Sequence, residues 1–233
     1  MIELDRIRGV LFDYGGTIDS NGVHWAEVIW QAYQSENVPV TKELFREAYI
    51  HGERTLGKNP IIKPHHTFLD MMRIKIDIQM DSLPQPLQRR GVCTHRIADF
   101  CYEYARLSIE CALPVIEWIT GKYPMVLVSN FYGNIAAVLQ DFGIDRFFPI
   151  IIESAVVGVR KPDPQIFRLG VESLQMKADE VVVIGDSYDK DIIPAKAAGC
   201  QTIWLKNTGW SEYSGLETAD LVISDFAELR KWL

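Results

Sequence analysis

Asp13 closes the apolar run Val10-Leu11-Phe12 and opens the sequence Asp13-Tyr14-Gly15-Gly16-Thr17. A carboxylate at the C-terminal end of a buried strand, followed by two glycines and a threonine, sits where an open α/β sheet places its chemistry. Such a group can attack an electrophile and can also hold a metal. Three further polar positions follow at the ends of apolar runs or just before a helix: Ser129, Lys161, and the pair Asp186 and Asp191. Ser129 and the adjoining Asn130 offer a hydroxyl and nearby backbone N–H donors, suited to holding phosphoryl oxygens. Lys161 lies in Arg160-Lys161-Pro162-Asp163-Pro164, where two prolines stiffen the approach to a helix and fix where the lysine stem leaves the backbone. A compact ammonium there can neutralise a carboxylate and the charge of a bound phosphoryl group. Asp186 and Asp191, brought beside Asp13, would form a cluster of hard oxygen ligands of the kind Mg²⁺ prefers. Without a cation, carboxylates grouped in this way repel one another and their pKa values rise.

These residues need a scaffold that gathers strand ends along one edge. Short runs rich in Val and Ile alternate with helical patterns, which predicts parallel strands joined by helices. The strands are expected at Gly9–Phe12, Met125–Ser129, Pro149–Ile152, Val181–Ile184, Thr202–Leu205 and Leu221–Ile223. Helices are expected near Leu113–Lys122, Asn134–Phe142, Pro164–Leu174 and Ile192–Ala198, with Asn134 capping its helix and Gly143 suited to the left-handed end. Near-continuous apolar strands fit a sheet covered on both faces. From about His24 to Arg106 no strand pattern appears, and Trp25, Ile29, Ala32 and Tyr33 recur at helical spacing. The stretches Asn59–Pro64 and Ser82–Pro86 read as turns between helices. A structureless loop of that length inside a domain is improbable, so the segment is expected to be a helical insertion. The fold class is therefore α/β: a doubly wound, Rossmann-like parallel sheet formed by residues 1–20 and 107–233, with residues 21–106 as an inserted helical cap.

The chain has 233 residues and 48% apolar residues, enough to bury a full core. Its net charge of −7 argues against nonspecific nucleic-acid binding and leaves no basic membrane patch, while a metal or a few local cations could still receive an anionic substrate. The first residues lack the charged-then-apolar layout of a signal, and no apolar run reaches spanning length. Cys93, Cys101, Cys111 and Cys200 show no metal or redox spacing and read as reduced, buried or half-buried thiols. These features point to a soluble, cytoplasmic protein.

Taken together, the motifs resemble those of the haloacid dehalogenase-like hydrolase superfamily, which consists mostly of Mg²⁺-dependent phosphatases. Its first motif, Asp-x-Asp-x-Thr, is matched by Asp13-Tyr14-Gly15-Gly16-Thr17 in every defining position but one. Val126-Leu127-Val128-Ser129-Asn130, Lys161-Pro162-Asp163-Pro164 and Gly185-Asp186-Ser187-Tyr188-Asp189-Lys190-Asp191 match the second, third and fourth motifs. The likeness covers roughly residues 8–20 and 112–225, and the intervening stretch occupies the place of a helical cap. The resemblance implies a phosphatase-like enzyme acting on a small phosphorylated metabolite with Mg²⁺ as cofactor. Asp13 would be nucleophile and metal ligand, and Gly15 would offer its backbone carbonyl to the metal. Ser129 and Lys161 would act on the phosphoryl group, bound together with Gly16, Thr17 and Asn130. Asp186 would ligate Mg²⁺, with Asp191 close by through water or through Lys161.

The departure lies at position 15. Phosphatases of the superfamily carry a second aspartate there, which protonates the leaving oxygen and then activates water; this chain has Gly15. Such acid–base help is typically worth about 10²–10⁴-fold. Three readings follow: a leaving group that needs little protonation, a proton supplied from the lid by His51, Glu53, His65 or His66, or a protein that binds a phosphorylated ligand with little or no turnover. Phosphonoacetaldehyde hydrolase, in the same superfamily, also has a small residue at this position and forms a Schiff base through a lid lysine; Lys58 is the candidate counterpart here, although a lysine in a polar loop reads first as a solvated surface charge. Trp25, Trp30 and Tyr33 are expected to pack lid helices rather than line a pocket, and Asp19 and Ser20 to form the hinge between core and lid.

Overall fold

The computed structural model describes residues 2–85, 87, 92–208 and 218–233. Among these, β1 (Gly9–Phe12), β2 (Met125–Ser129), β3 (Ile150–Glu153), β4 (Val181–Gly185), β5 (Gln201–Leu205) and β6 (Leu221–Ile223) form one parallel sheet in the order β3-β2-β1-β4-β5-β6. The helices are α1 (Trp25–Ser35), α2 (Lys42–Lys58), α3 (Phe68–Ser82), α4 (Val92–Thr120), α5 (Ile135–Asp141), α6 (Ser154–Val157), α7 (Gln165–Leu174), α8 (Ile193–Ala197) and α9 (Leu229–Trp232). The strands are where the apolar runs put them, with ends displaced by a residue or so.

Alternation along each strand divides the core into two layers, one on each face of the sheet. Leu11, Val126, Val128 and Val183 meet Ile166 and Phe167 of α7 on one face. Val10, Phe12, Leu127 and Ile184 meet Ile116 and Ile119 of α4 on the other, with Phe148 and Phe226. Both faces are thus covered, as the unbroken apolar character of the strands required. Parallel register then lines up the strand ends. Phe12 lies opposite Ile184 and Leu127, so Asp13 emerges between the ends of β4 and β2. The sheet changes its winding direction between β1 and β4, the crevice where open α/β sheets bind ligands.

Over the strand ends sit α1, α2, α3 and the first part of α4, packed against one another. Thr41 caps α2 by accepting from the Leu44 N–H, and Thr67 and Asp70 form a reciprocal capping box on α3. Trp30 and Tyr33 pack on Phe45 with ring centroids 5.1 Å away in each case, as expected of lid-packing aromatics. The turn at Asn59–Pro64 joins α2 to α3; Pro86, at the end of the second expected turn, lies outside the described residues.

Three expectations are corrected. The helix expected to begin at Leu113 is the end of α4, which runs unbroken through Pro114. Asn134 makes no side-chain cap; its Nδ2 donates instead to the His66 carbonyl at 2.9 Å, tying α5 to the lid. Gly143 does take the left-handed conformation after α5, at φ +69°. Cys101 and Cys200 are buried and Cys93 half-buried, but Cys111 is exposed. No helix among the described residues is long and apolar enough to cross a membrane.

Candidate functional site

The turn after β1 depends on its glycines. Gly16 has φ +100°, and a Cβ built there would stand 2.5 Å from the Asp186 carboxylate. Only glycine lets the β1 loop approach the β4 loop this closely. Gly15 differs: a Cβ at that position would meet nothing within 4 Å. With the loops so close, Thr17 Oγ1 donates to Asp13 Oδ2 at 2.9 Å and accepts from the Asp186 N–H at 3.1 Å, joining the two strand ends.

Lys161 completes the arrangement. Its Nζ lies 2.5 Å from Asp13 Oδ1 and 2.7 Å from Asp191 Oδ1, and all three side chains are buried. The lysine is held at its root by Asn130, whose Oδ1 accepts from the Lys161 N–H at 2.9 Å and whose Nδ2 donates to the Lys161 carbonyl at 3.0 Å. Asp191 lies on a single π-helical turn, Tyr188–Ile192, and its Oδ2 accepts from the Ser187 N–H at 3.0 Å. Trp204 on β5 donates to the Asp186 carbonyl at 2.8 Å and fixes that loop from the other side. Ser129 is buried at the end of β2 and lines the same cavity.

The electrostatics follow from burial. It pushes the Asp13 carboxyl up to about 6, against the opposing pull of Lys161. Asp186 is driven well above the ordinary carboxylate range by burial, with the charges of Asp13 and Asp191 adding to the effect. Burial works against the Lys161 ammonium, yet the charges of Asp13 and Asp191 outweigh it and raise its pKa. Ligand oxygens of Asp13, Asp186 and Asp191 all lie within 4.8 Å of one another. Three acids share one cation from the protein, so the cluster is short of positive charge.

A cavity of about 150 Å³ lies between these strand ends and the lid. It brings together Asp13, Gly15, Gly16, Ser129, Asn130, Asp186 and Asp191; Thr17 and Lys161 stand behind them, in contact with Asp13. Of the four expected lid proton donors, only Glu53 reaches the cavity. His51 and His65 are exposed, and His66 directs Nδ1 to the Lys63 N–H. Lys58 is exposed at the end of α2 and does not line the cavity.

Two lysines do line it: Lys190 in the loop after β4, and Lys75 of α3, which is paired with Glu53 at 2.7 Å and has its Nζ 5.1 Å from the centroid of the Tyr132 ring. Burial alone would raise the Glu53 pKa, but the Lys75 charge, the hydrogen bonds from Lys75 and Tyr132 and the Lys190 charge together outweigh it and hold the acid below its usual range. The sequence signal for Lys75 is its place on the buried stripe of α3 with Met71, Met72 and Ile76. Trp25 and Asp19, read from sequence as packing and hinge residues, both line the cavity, and Trp25 Nε1 donates to Asp19 Oδ2 at 2.9 Å. Ser20 turns away, donating to the Val23 carbonyl at 2.6 Å.

Comparison with known proteins gives this arrangement a lineage. The chain is 26% identical over 232 residues to the phosphoglycolate phosphatase of Yersinia pestis, covering 98% of this chain and 94% of that enzyme. A shorter stretch of 87 residues is 36% identical to the glyceraldehyde 3-phosphate phosphatase of Methanocaldococcus jannaschii, covering 37% and 38% of the two chains. The fold is shared with the magnesium-bound hydrolase YfnB of Bacillus subtilis at TM-score 0.61 and 18% identity, over 97% of this chain and 98% of that one. A phosphatase from Thermococcus onnurineus matches at TM-score 0.54 and 22% identity, over 97% of each chain. The family model that matches residues 7–199 takes in the motif-bearing loops after β1, β2 and β4 together with Lys161, and by that match the chain belongs to the haloacid dehalogenase-like hydrolases.

Proposed function

We propose that this hydrolase is a Mg²⁺-dependent phosphatase that cleaves a small phosphorylated metabolite through an aspartyl-phosphate on Asp13. In this reading residues 1–20 and 107–233 form the catalytic core and residues 21–106 the cap. One observation carries it: Asp13 is buried at a strand end with one oxygen against Lys161 and the other against Thr17, inside a cluster of acids. That geometry fixes the direction of attack, which is most of what a protein contributes to phosphoryl transfer.

The residues fit Mg²⁺. Asp13 and Asp186 would hold it, with the Gly15 carbonyl and with Asp191 through water or through Lys161. The raised pKa of Asp186 is the mark of acids awaiting a cation. When bound, the ion would neutralise these carboxylates and draw charge from the phosphoryl oxygens. Lys161 would steady Asp13 before attack and the transferring group afterwards, while Ser129, Asn130, Gly16 and Thr17 would surround the phosphoryl oxygens. The cavity suits a short substrate. The names of the phosphatase relatives, which act on phosphoglycolate and glyceraldehyde 3-phosphate, agree with a phosphorylated compound of two or three carbons.

The phosphonatase alternative requires an uncharged lid lysine. Lys75, the lid lysine in the cavity, is held protonated: burial disfavours its charge, but Glu53 together with Tyr132 and Tyr49 outweighs burial and raises its pKa well above the usual value. The test of the phosphatase reading is a panel of short phosphoesters, longer phosphoesters and acyl phosphates assayed with and without Mg²⁺. Phosphate release from the short members, abolished by chelation, is the expected result. No release from any member would overturn the reading.

A further inference from the structure

We propose that Asp19, four residues beyond Gly15 in the same loop and lining the same cavity as Asp13, supplies the proton-transfer group that Gly15 lacks. The inference rests on the phosphatase reading above. Backbone bonds from Thr17, Ile18 and Asp19 N–H groups to the Tyr14 carbonyl coil the loop into a turn. That coil carries the Asp19 carboxyl back over the Gly15–Gly16 peptide, where Oδ1 accepts from the Gly16 N–H at 2.7 Å. Its other oxygen accepts from Trp25, the first residue of α1, so the carboxyl sits where core and cap meet, above the cavity it shares with Asp13. The Gly15 position on the same cavity wall is open, with nothing within 4 Å of a Cβ built there.

Asp19 also differs in kind from the other acids that line the cavity among the described residues. Asp13, Asp186 and Asp191 belong to the cation cluster, and Glu53 is paired with Lys75. Asp19 is 1% exposed and meets two neutral N–H donors. A buried carboxylate without a cation costs stability that an apolar hinge residue would not, so its presence here points to chemistry rather than packing. Burial, which raises its pKa to about 7, leaves it able both to give and to take a proton near neutrality. The nearby imidazole of His24 is driven the other way, down to about 4, and accepts from the Ala26 N–H.

The steps balance as follows. As an Asp13 oxygen forms a bond to phosphorus, the bond from phosphorus to the leaving oxygen breaks, and that oxygen takes the proton of the Asp19 carboxylic acid. The resulting Asp19 carboxylate then removes a proton from water as the water oxygen bonds to phosphorus. The bond from Asp13 to phosphorus breaks, inorganic phosphate leaves, and Asp19 is again protonated.

The test compares wild type with Asp19→Asn on an alkyl phosphate and on a p-nitrophenyl phosphate, whose leaving group needs no proton. Asp19→Asn should lose about 10²–10⁴-fold in kcat/KM on the alkyl ester. On the aryl ester it should release a rapid burst of one equivalent of nitrophenol followed by slow turnover, because only hydrolysis of the phosphoenzyme still needs the base. Adding Gly15→Asp to Asp19→Asn should restore alkyl turnover, a rescue that repair of folding alone would not produce. An active wild type with an unimpaired Asp19→Asn, or equal losses on both esters without rescue, would overturn the role of Asp19 and leave the phosphatase reading standing. A wild type inert to both esters with Mg²⁺ would overturn both.

Discussion

Asp13, Thr17, Ser129, Lys161, Asp186 and Asp191 were all legible as candidate site residues because each lies shortly after an apolar run or beside prolines that fix where its backbone must lie. Asp19 was not. Its direction depends on a bond to Trp25, a contact between cap and core that no spacing in the chain reveals. Its environment makes a prediction about pH. The folded protein holds the Asp19 proton up to about pH 7, whereas an ordinary aspartate releases it near 3.8. Between those values the folded state binds more protons than the unfolded one, so stability falls as pH rises and the cost is complete above the folded pKa. Asp13, raised to about 6 by burial, acts in the same direction. In metal-free protein, the Tm of Asp19→Asn relative to wild type should therefore rise from about pH 4 to about pH 8, followed by thermal melts at intervals between. A constant difference across that range would mean that Asp19 titrates normally.

Among the elements, the strands were read most accurately, since unbroken Val and Ile runs between helices admit few other structures. The long helix α4 was not, because Pro114 near the start of an apolar pattern reads as a helix beginning, while here it lies inside one. The β1 turn offers the sharpest test at this scale, for its two glycines sit in opposite circumstances. Gly16→Ala forces a side chain onto a left-handed backbone and against the Asp186 carboxylate. It should cost about 1–3 kcal/mol in denaturant unfolding and weaken Mg²⁺ uptake by calorimetry. Gly15→Ala enters open space and should stay within about 0.5 kcal/mol of wild type. If the two variants melted alike, the close approach of the β1 and β4 loops would be wrong.

For the whole molecule, the sequence predicted that a helical body stands over a parallel sheet, but not which of its side chains face the sheet. Helical periodicity marks a buried stripe without saying whether that stripe faces its own bundle or a ligand, which is why Lys75 went unassigned and Trp25 was assigned to packing, although both line the cavity. Cation binding should be felt by the entire fold, because the acids come from β1 and β4, which are far apart in sequence and paired in the sheet centre. A ligand that favours the folded state at 100 times its Kd adds about 2.7 kcal/mol, so Mg²⁺ should raise Tm in a concentration-dependent way, and K⁺ at equal ionic strength should not. The path of α4 has a mechanical consequence. The helix braces α1 and α3 at one end and the sheet at the other, so both bodies share a single beam. At about 1.5 Å of rise per residue, a tilt of roughly 10° at Pro114 sweeps the distal tip through about 6 Å. A flexure of that size would shift the helices that roof the cavity relative to the strand ends that floor it.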